Sequence, residues 1–391
     1  MPPGILYIVM NMTEIVKCYF KSIAFLFLFS FFSCSNRIEG EFIACPIAAP
    51  ASDDIQTELK LTVVPLDSVY TSHEFFSGIY KNQQLYLYDR FFGYVYIFNI
   101  DGSLVGRFAG LGRGPGEVVI KGGNSCSENG HGTILVVGST WDFATVDIEN
   151  NKSTYIRLPY TPDKNGTADN FSNYSYPFNN FNSFLIGDEI YMNMDSQHPR
   201  FNYLQTTEKF LNQARHVARI NLKTQKVQML VTGFPEIYHK KNYKYYAQSL
   251  VNLFVNNDKT MIVNFEADST IFICNSAGIP LRGFGRSGEG MDIDYKEVRS
   301  TADQQQYYTN RNEKGYYGRL YNDDNNKRIF RSYVRGGSSE DEGLQIYEDE
   351  CLTADIKVPS GFIVAGKIGE YYYSNILTTD DGSLIVYKFK I

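Results

Sequence analysis

Residues 85–117 read LYLYDRFFGYVYIFNIDGSLVGRFAGLGRGPGE, and no other stretch narrows the fold as far. Leu85, Tyr86, Leu87 and Tyr88 are β-formers ended by Asp89. A second run of aromatic and β-branched residues at 94–100 suits a pleated, half-buried surface. Asp101-Gly102 separates it from a third run at 104–108. Asp-Gly between two apolar runs predicts a type I′ hairpin, in which both central residues take positive φ. Gly110, Gly112, Gly114 and Gly116 then alternate with Leu111, Arg113 and Pro115. A strand interior does not tolerate such a run, so it is a sharp corner. Three antiparallel strands closed by a corner make most of one sheet of a repeated all-β architecture.

A glycine-rich loop after a strand also invites a phosphate-binding reading. The dinucleotide fingerprint must open a helix inside a βαβ unit, and here the upstream strand belongs to an antiparallel hairpin. No GKS or GKT occurs in the sequence, which excludes a P-loop. The corner is structural.

The remaining apolar runs fit blades of four antiparallel strands, a to d from axis to rim. Blade one takes 75–80, 85–88, 94–100 and 104–108. Blade two takes an inner strand near 118–122, then 133–137, 143–148 and 153–158. Blade three takes 182–186, 189–194, 216–221 and 226–231. Blade four takes 250–255, 260–265, 270–274 and 280–284. Blade five takes 316–321, 328–334, 344–347 and 354–358. The last blade has only 362–365, 370–374 and 383–389. Residues 58–65 (ELKLTVVP) form a strand-like segment with no blade of its own. Placed as the missing outer strand, they close the ring and remove an open edge. The predicted fold is therefore all-β, a six-bladed β-propeller over 57–391 whose last blade is closed by an N-terminal strand. The corner GLGRGPGE at Gly110 recurs as GFGRSGEG at Gly283, three blades on, which supports the layout.

Composition agrees. Aromatic residues make up 15% of 391, with 30 Tyr and 28 Phe but one Trp. A formal net charge of −6 argues against nucleic acid as a partner. Residues 22–32 (SIAFLFLFSFF) follow Lys17 and Lys21 and are too few to span a bilayer, but they fit the apolar core of a signal peptide, assigned to 1–33. Ser33-Cys34 directly after this run resembles a bacterial lipobox. That likeness implies cleavage before Cys34 and lipidation of its thiol. Residues 34–56, rich in Ala, Pro, Ser and Asp, read as a tether. Cys45, Cys126, Cys274 and Cys351 match neither CxxC nor a zinc spacing, and their disulfide status is open.

Taken together, the lipobox, the GxGRGPGE corner, the Asp-Gly hairpins and the chain-terminal strand resemble the six-bladed β-propeller lipoproteins abundant in gut Bacteroidetes. Many of these are classed as domains of unknown function. The resemblance implies a Gram-negative cell envelope and anchoring to the outer membrane through Cys34, on the periplasmic or the surface side. It carries no catalytic residue.

Four long connections, 159–181, 195–215, 232–249 and 285–315, all join strand b to c or d to a, and so should emerge on one face. Long ordered loops in compact domains are commonly functional, so this face is expected to carry the site. The first holds Tyr174, Tyr176 and Phe178 among asparagines, suited to sugar or peptide recognition or to packing the loop on the propeller. Tyr243 and Lys244 belong to a basic-aromatic stretch suited to an anionic glycan, or simply to solvent. Arg113 and Arg286, in matching corners, are candidate anion contacts, accompanied by Glu117 and Glu289. No HExxH, GxSxG or clustered His and Cys is present, so no catalytic residue, metal ligand or cofactor is assigned. The sequence thus favours a monomeric binding module for a glycan, a peptide or an envelope protein. The alternative is a propeller hydrolase, lyase or lactonase with its site in the central funnel.

Overall fold

The middle strands of the blades are near-continuous apolar runs because they are buried on both faces, between two neighbouring sheets, whereas outer strands such as 104–109 and 152–157 are largely exposed. The computed structural model describes residues 41–48, 55–159, 167–177, 181–198, 201–202, 208–240, 249–298, 303–337 and 341–391. β1 (Thr62–Pro65) comes first. Blade one is β2 (Phe75–Tyr80), β3 (Gln84–Asp89), β4 (Tyr94–Phe98) and β5 (Leu104–Ala109). Blade two is β6 (Ser125–Glu128), β7 (Thr133–Val137), β8 (Asp142–Asp147) and β9 (Lys152–Arg157). After the short β10 (Tyr174–Ser175), blade three begins with β11 (Ser183–Ile186) and β12 (Glu189–Asn193). There follow β13 (Asp195–His198), β14 (Phe201–Asn202) and helix α1 (Glu208–Gln213), before β15 (Arg215–Asn221) and β16 (Val227–Thr232) complete that blade. Helix α2 (Glu236–Lys240) leads to blade four: β17 (Val251–Val255), β18 (Met261–Phe265), β19 (Ile271–Cys274) and β20 (Pro280–Phe284). Helix α3 (Gln304–Lys314) leads to blade five: β21 (Gly315–Asp323), β22 (Arg328–Arg335), β23 (Asp341–Glu348) and β24 (Cys351–Pro359). Blade six holds β25 (Val364–Ile368), β26 (Tyr371–Ser374) and β28 (Leu384–Phe389), with β27 (Leu377–Thr378) paired on β28.

The inner strands β2, β6, β11, β17, β21 and β25 stand around one axis, and the last meets the first. Closure is as the sequence predicts. β1 pairs antiparallel with β28, from Thr62 opposite Lys388 to Pro65 opposite Ile385, and supplies the outer strand that blade six lacks. Six apolar cores fill the six gaps between blades. Between blades one and two, for example, Tyr86, Tyr88, Val95 and Ile97 meet Ile134, Val136 and Val146. Every residue of β18 is buried, which explains a run (MIVNF) that is apolar but for Asn264.

Three expectations are corrected. The inner strand of blade two is Ser125–Glu128, not 118–122. Val118 and Ile120 are buried, but Val118 bonds back to Gly110 and Gly112 and closes the corner on itself. An innermost strand faces the axial channel, so it needs no apolar run, and SCSE serves. The Asp101-Gly102 hairpin is not type I′. Gly102 N–H donates to Asn99 O, and of the two central residues only Gly102 has positive φ, at 93°. This is a type I turn closed by a glycine bulge, and a separate irregularity follows at Val105, where Ile97 pairs with Gly106 and Phe98 with Leu104. A Cβ on Gly102 would lie 1.9 Å from Pro65 O, so the turn and the closing strand require each other.

The third correction concerns the tether. Its described parts are docked rather than free. Phe42 is 2% exposed and packs edge-on against Phe265 and Phe272. Ala48 N–H donates to Gly283 O and Gly283 N–H to Pro46 O, laying the segment along β20. Gln56 N–H donates to Thr353 O and receives Asp355 N–H, on β24. With β1 on β28, the N-terminal segment straps the rims of blades four, five and six in succession.

Candidate functional site

The inner strands leave a channel of about 560 Å³ along the axis. Its wall has two characters. Blades three, four and five contribute Phe184, Phe254 and Tyr321, whose ring centres follow one another at 5.3 and 5.6 Å in edge-to-face contacts. Blades one, two and six set small and polar groups, among them Ser77, Gly78, Ser127 and Ala365, between apolar ones such as Phe76, Ile79 and Val364. At one end the lining reaches the a–b turns at Asn82, His131 and Asn257.

Arg319 is the only Arg or Lys among the lining residues. A bulge places it there. Between Tyr317, opposite Tyr333, and Leu320, opposite Arg331, the two residues Gly318 and Arg319 face the single Ser332. A bulge re-aims the side chain it carries, and here the guanidinium reaches from blade five to blade three. Its Nη2 donates to Phe181 O at 2.7 Å, beside the start of β11. No carboxylate among the described residues pairs with it. Burial alone lowers its pKa to about 10, because the channel wall replaces water without supplying a counter-charge. The lining carboxylate, Glu128, accepts backbone N–H groups from Gly130 at 2.7 Å and from Gly132, at the a–b turn. Beside the aromatic wall, Asn193 and Asn182 donate to Val251 O and Leu253 O, and Asn252 donates to Tyr317 O. These amides stitch blades three, four and five together. Among the described residues, no group of three or more His, Cys, Asp and Glu side chains is placed to hold a metal.

The long connections do share a face, because in the observed strand order each links b to c or d to a. They also bind one another. Tyr174 on β10 pairs opposite Ser196 on β13, and Phe234 N–H donates to Leu211 O. Tyr174 is fully buried, its hydroxyl donating to Ala168 O at 2.7 Å and accepting Arg215 N–H at 3.1 Å. Tyr176 accepts Trp141 N–H at 3.1 Å and stacks on Phe181 with ring centres 4.6 Å apart. Both tyrosines are thus engaged in packing the loop on the propeller. Phe178, Tyr243, Lys244 and Cys34 lie outside the described residues.

The two corner arginines are not brought together. Their corners follow β5 and β20, half a turn of the ring apart. Nor do they match in register. Gly110 and Gly285, with φ of 140° and 149°, are the equivalent residues, so Arg113 lies three positions into its corner and Arg286 one. Both are exposed. Glu117 accepts Gly114 N–H at 2.7 Å, and Glu289 pairs with Arg335 at 2.7 Å. The second corner is held by a residue the sequence did not single out. Fully buried Arg331 lies 3.9 Å over the Tyr317 ring, donates to Ser269 O and Arg286 O, and meets Gln345 Oε1 at 3.0 Å. The four cysteines 45, 126, 274 and 351 are free thiols. Arg319 was missed as well. The one available signal was Gly318 inside an otherwise aromatic strand, since an isolated glycine there marks a bulge.

Residues 146–354, more than half of the chain, match the family model described as a domain of unknown function, DUF4221. No curated protein matches the chain. A solved DUF4221 member from Bacteroides vulgatus superposes with a TM-score of 0.60 at 14% identity, over 86% of this chain and 99% of that one. A candidate exported protein from Bacteroides fragilis superposes at 0.50 with 12% identity, again over 86% and 99%. At such identities the likeness is one of fold. The matched segment takes in the last strands of blade two, all of blades three and four and much of blade five, and the chain belongs to the DUF4221 family, a six-bladed β-propeller of unknown function.

Proposed function

We propose that this protein is a cell-envelope binding module that holds a small ligand, or the end of a longer one, in its axial channel. The observation that carries the reading is the channel itself. Its volume lies within the range of small-molecule sites, about 300–1,000 Å³, and it joins an aromatic wall to a few convergent polar groups. Delivery to the envelope is supported by the apolar run at 22–32 and by the likeness to a candidate exported protein. Lipid anchoring at Cys34 rests on the Ser33-Cys34 junction.

A ligand that binds only the folded protein raises its thermal midpoint. The test is a thermal-shift panel of neutral and acidic sugars, run on the wild type and on Ala365→Trp, which fills the channel from blade six. A sugar that shifts the wild type and not the variant supports the axial site. An equal shift in both places the ligand elsewhere and refutes it. For the anchor, cells grown with an alkyne fatty acid should label the wild type and not Cys34→Ala.

A further inference from the structure

We propose that Arg319 is the anchor for the carboxylate of an acidic sugar bound in the axial channel, an inference that rests on the channel being the site. Three features point the same way. The guanidinium has five N–H donors in a fixed fork, and the structure uses one nitrogen, in the bond to Phe181 O. An enclosed arginine is either paired with a carboxylate, as Arg311 is with Glu266 at 2.8 Å and Arg335 with Glu289, or surrounded by several acceptors, as Arg331 is by Ser269 O, Arg286 O and Gln345 Oε1. Among the described residues Arg319 meets no carboxylate and one acceptor, Phe181 O. The bulge at Gly318-Arg319 turns this side chain toward the axis, and two residues further along the strand Tyr321 presents its ring to the same channel.

The ligand class follows from the surroundings. A planar carboxylate matches the guanidinium fork in a bidentate pair, which a neutral hydroxyl cannot do. The rings of Phe184, Phe254 and Tyr321 offer the apolar faces on which a pyranose lies. Ser77 and Ser127 on the opposite wall suit its hydroxyls. Glu128, the one lining carboxylate, is engaged by backbone N–H groups at the a–b turn end. A ligand entering from the a–b turns would therefore place its charged end inward, on Arg319, at the long-loop end of β11.

The experiment is isothermal titration of the purified protein with D-glucuronate and D-galacturonate, alongside D-glucose, D-galactose, acetate and a short peptide with a free C-terminal carboxylate. The uronates should bind, and the neutral sugars should bind at least about tenfold more weakly, the loss of one charge-assisted hydrogen bond. Arg319→Met should weaken uronate binding about 10- to 100-fold and abolish the preference over neutral sugars. Arg319→Lys should retain part of it, keeping the charge and losing the fork. The thermal midpoint of unliganded Arg319→Met should equal or exceed that of the wild type, since the variant removes a desolvated cation without a counter-charge. A fall in that midpoint would give Arg319 a structural role and overturn the proposal. Equal binding of neutral and acidic sugars, both blocked by Ala365→Trp, would leave the channel reading intact and overturn the role of Arg319. Acetate or the peptide binding as tightly as the uronates would refute the sugar assignment. Uronate binding that survives Ala365→Trp would overturn both readings.

Discussion

The closing strand makes a sharp prediction, because only one of its side chains points inward. Along Thr62–Pro65, Val64 is 6% exposed and Val63 is 51% exposed. Val64 packs with Leu66, Leu85, Leu87 and Val386 in the core that joins blade six to blade one. Val64→Asp forfeits about 1.5–3 kcal/mol of apolar burial. It also places a carboxyl where it must stay protonated, and holding a group of ordinary pKa near 3.9 neutral at pH 7 costs about 4 kcal/mol. The full penalty is about 6 kcal/mol, comparable with the stability of a whole domain. The strand has a cheaper escape. Peeling away exposes Val64 and Leu66, about 2 kcal/mol each, and frees the backbone around them. The measured loss should therefore fall between about 2 and 6 kcal/mol. Urea unfolding followed by circular dichroism gives the loss, and limited proteolysis tells which route is taken, since a peeled strand is cut between residues 55 and 66. Val63→Asp should change neither reading, because its side chain already meets water. Equal effects of the two substitutions, or no effect of either, would refute the register and the closure argument together.

Other consequences are as direct. Phe42→Ala should lower the urea midpoint by an amount equivalent to about 3–5 kcal/mol, the usual loss for a buried phenylalanine, whereas a free tether would show none. Tyr174→Phe removes a hydroxyl with two backbone partners and should cost about 1–3 kcal/mol in a thermal or urea melt without weakening any axial ligand. His216 is buried between Phe234 and Phe265, and that burial lowers its pKa to about 3. Its folded value lies below its unfolded value near 6.5, so the unfolded chain binds the extra proton in that interval. The contribution is present above pH 6.5 and is lost as pH falls toward 3. Asp195, raised to about 7 by burial, acts with the opposite sign. The check is therefore a comparison of variants: stability from pH 6.5 to 4 should fall less steeply in His216→Gln than in the wild type. Parallel slopes would show that His216 does not titrate with folding.

Much of the fold was legible because propeller strands are short, apolar and bounded by turn residues. Residues 133–137 and 280–284 read directly as strands. The closing strand was legible from a count of strands, since 362–389 supplied three where each other blade supplied four. Polar residues were not legible as strands when they face the channel, as in SCSE at 125–128. Nor was the strap, because Phe42 and Cys45 are single apolar residues in a loop-like composition and their partners lie more than two hundred residues away. The aromatic loop at 171–181 illustrates the limit for sites. Its composition suited a ligand or the propeller equally well, and the hydroxyl partners Ala168, Arg215 and Trp141 tell which use Tyr174 and Tyr176 serve.

Local sequence alone determined the period of the architecture, the antiparallel pairing within blades, the tight c–d turns and the side from which the long connections leave. All of these depend on neighbours within a few residues, or on strand direction. The tertiary structure decided what lies on the axis. Six inner strands that are far apart in the chain converge there, and a one-residue bulge aims Arg319 across the ring to Phe181. Whether an arginine is a solvated surface charge or a cation lining a channel depends on the dielectric and counter-charges around it. Those are set by residues from other blades, which no local pattern in the sequence encodes.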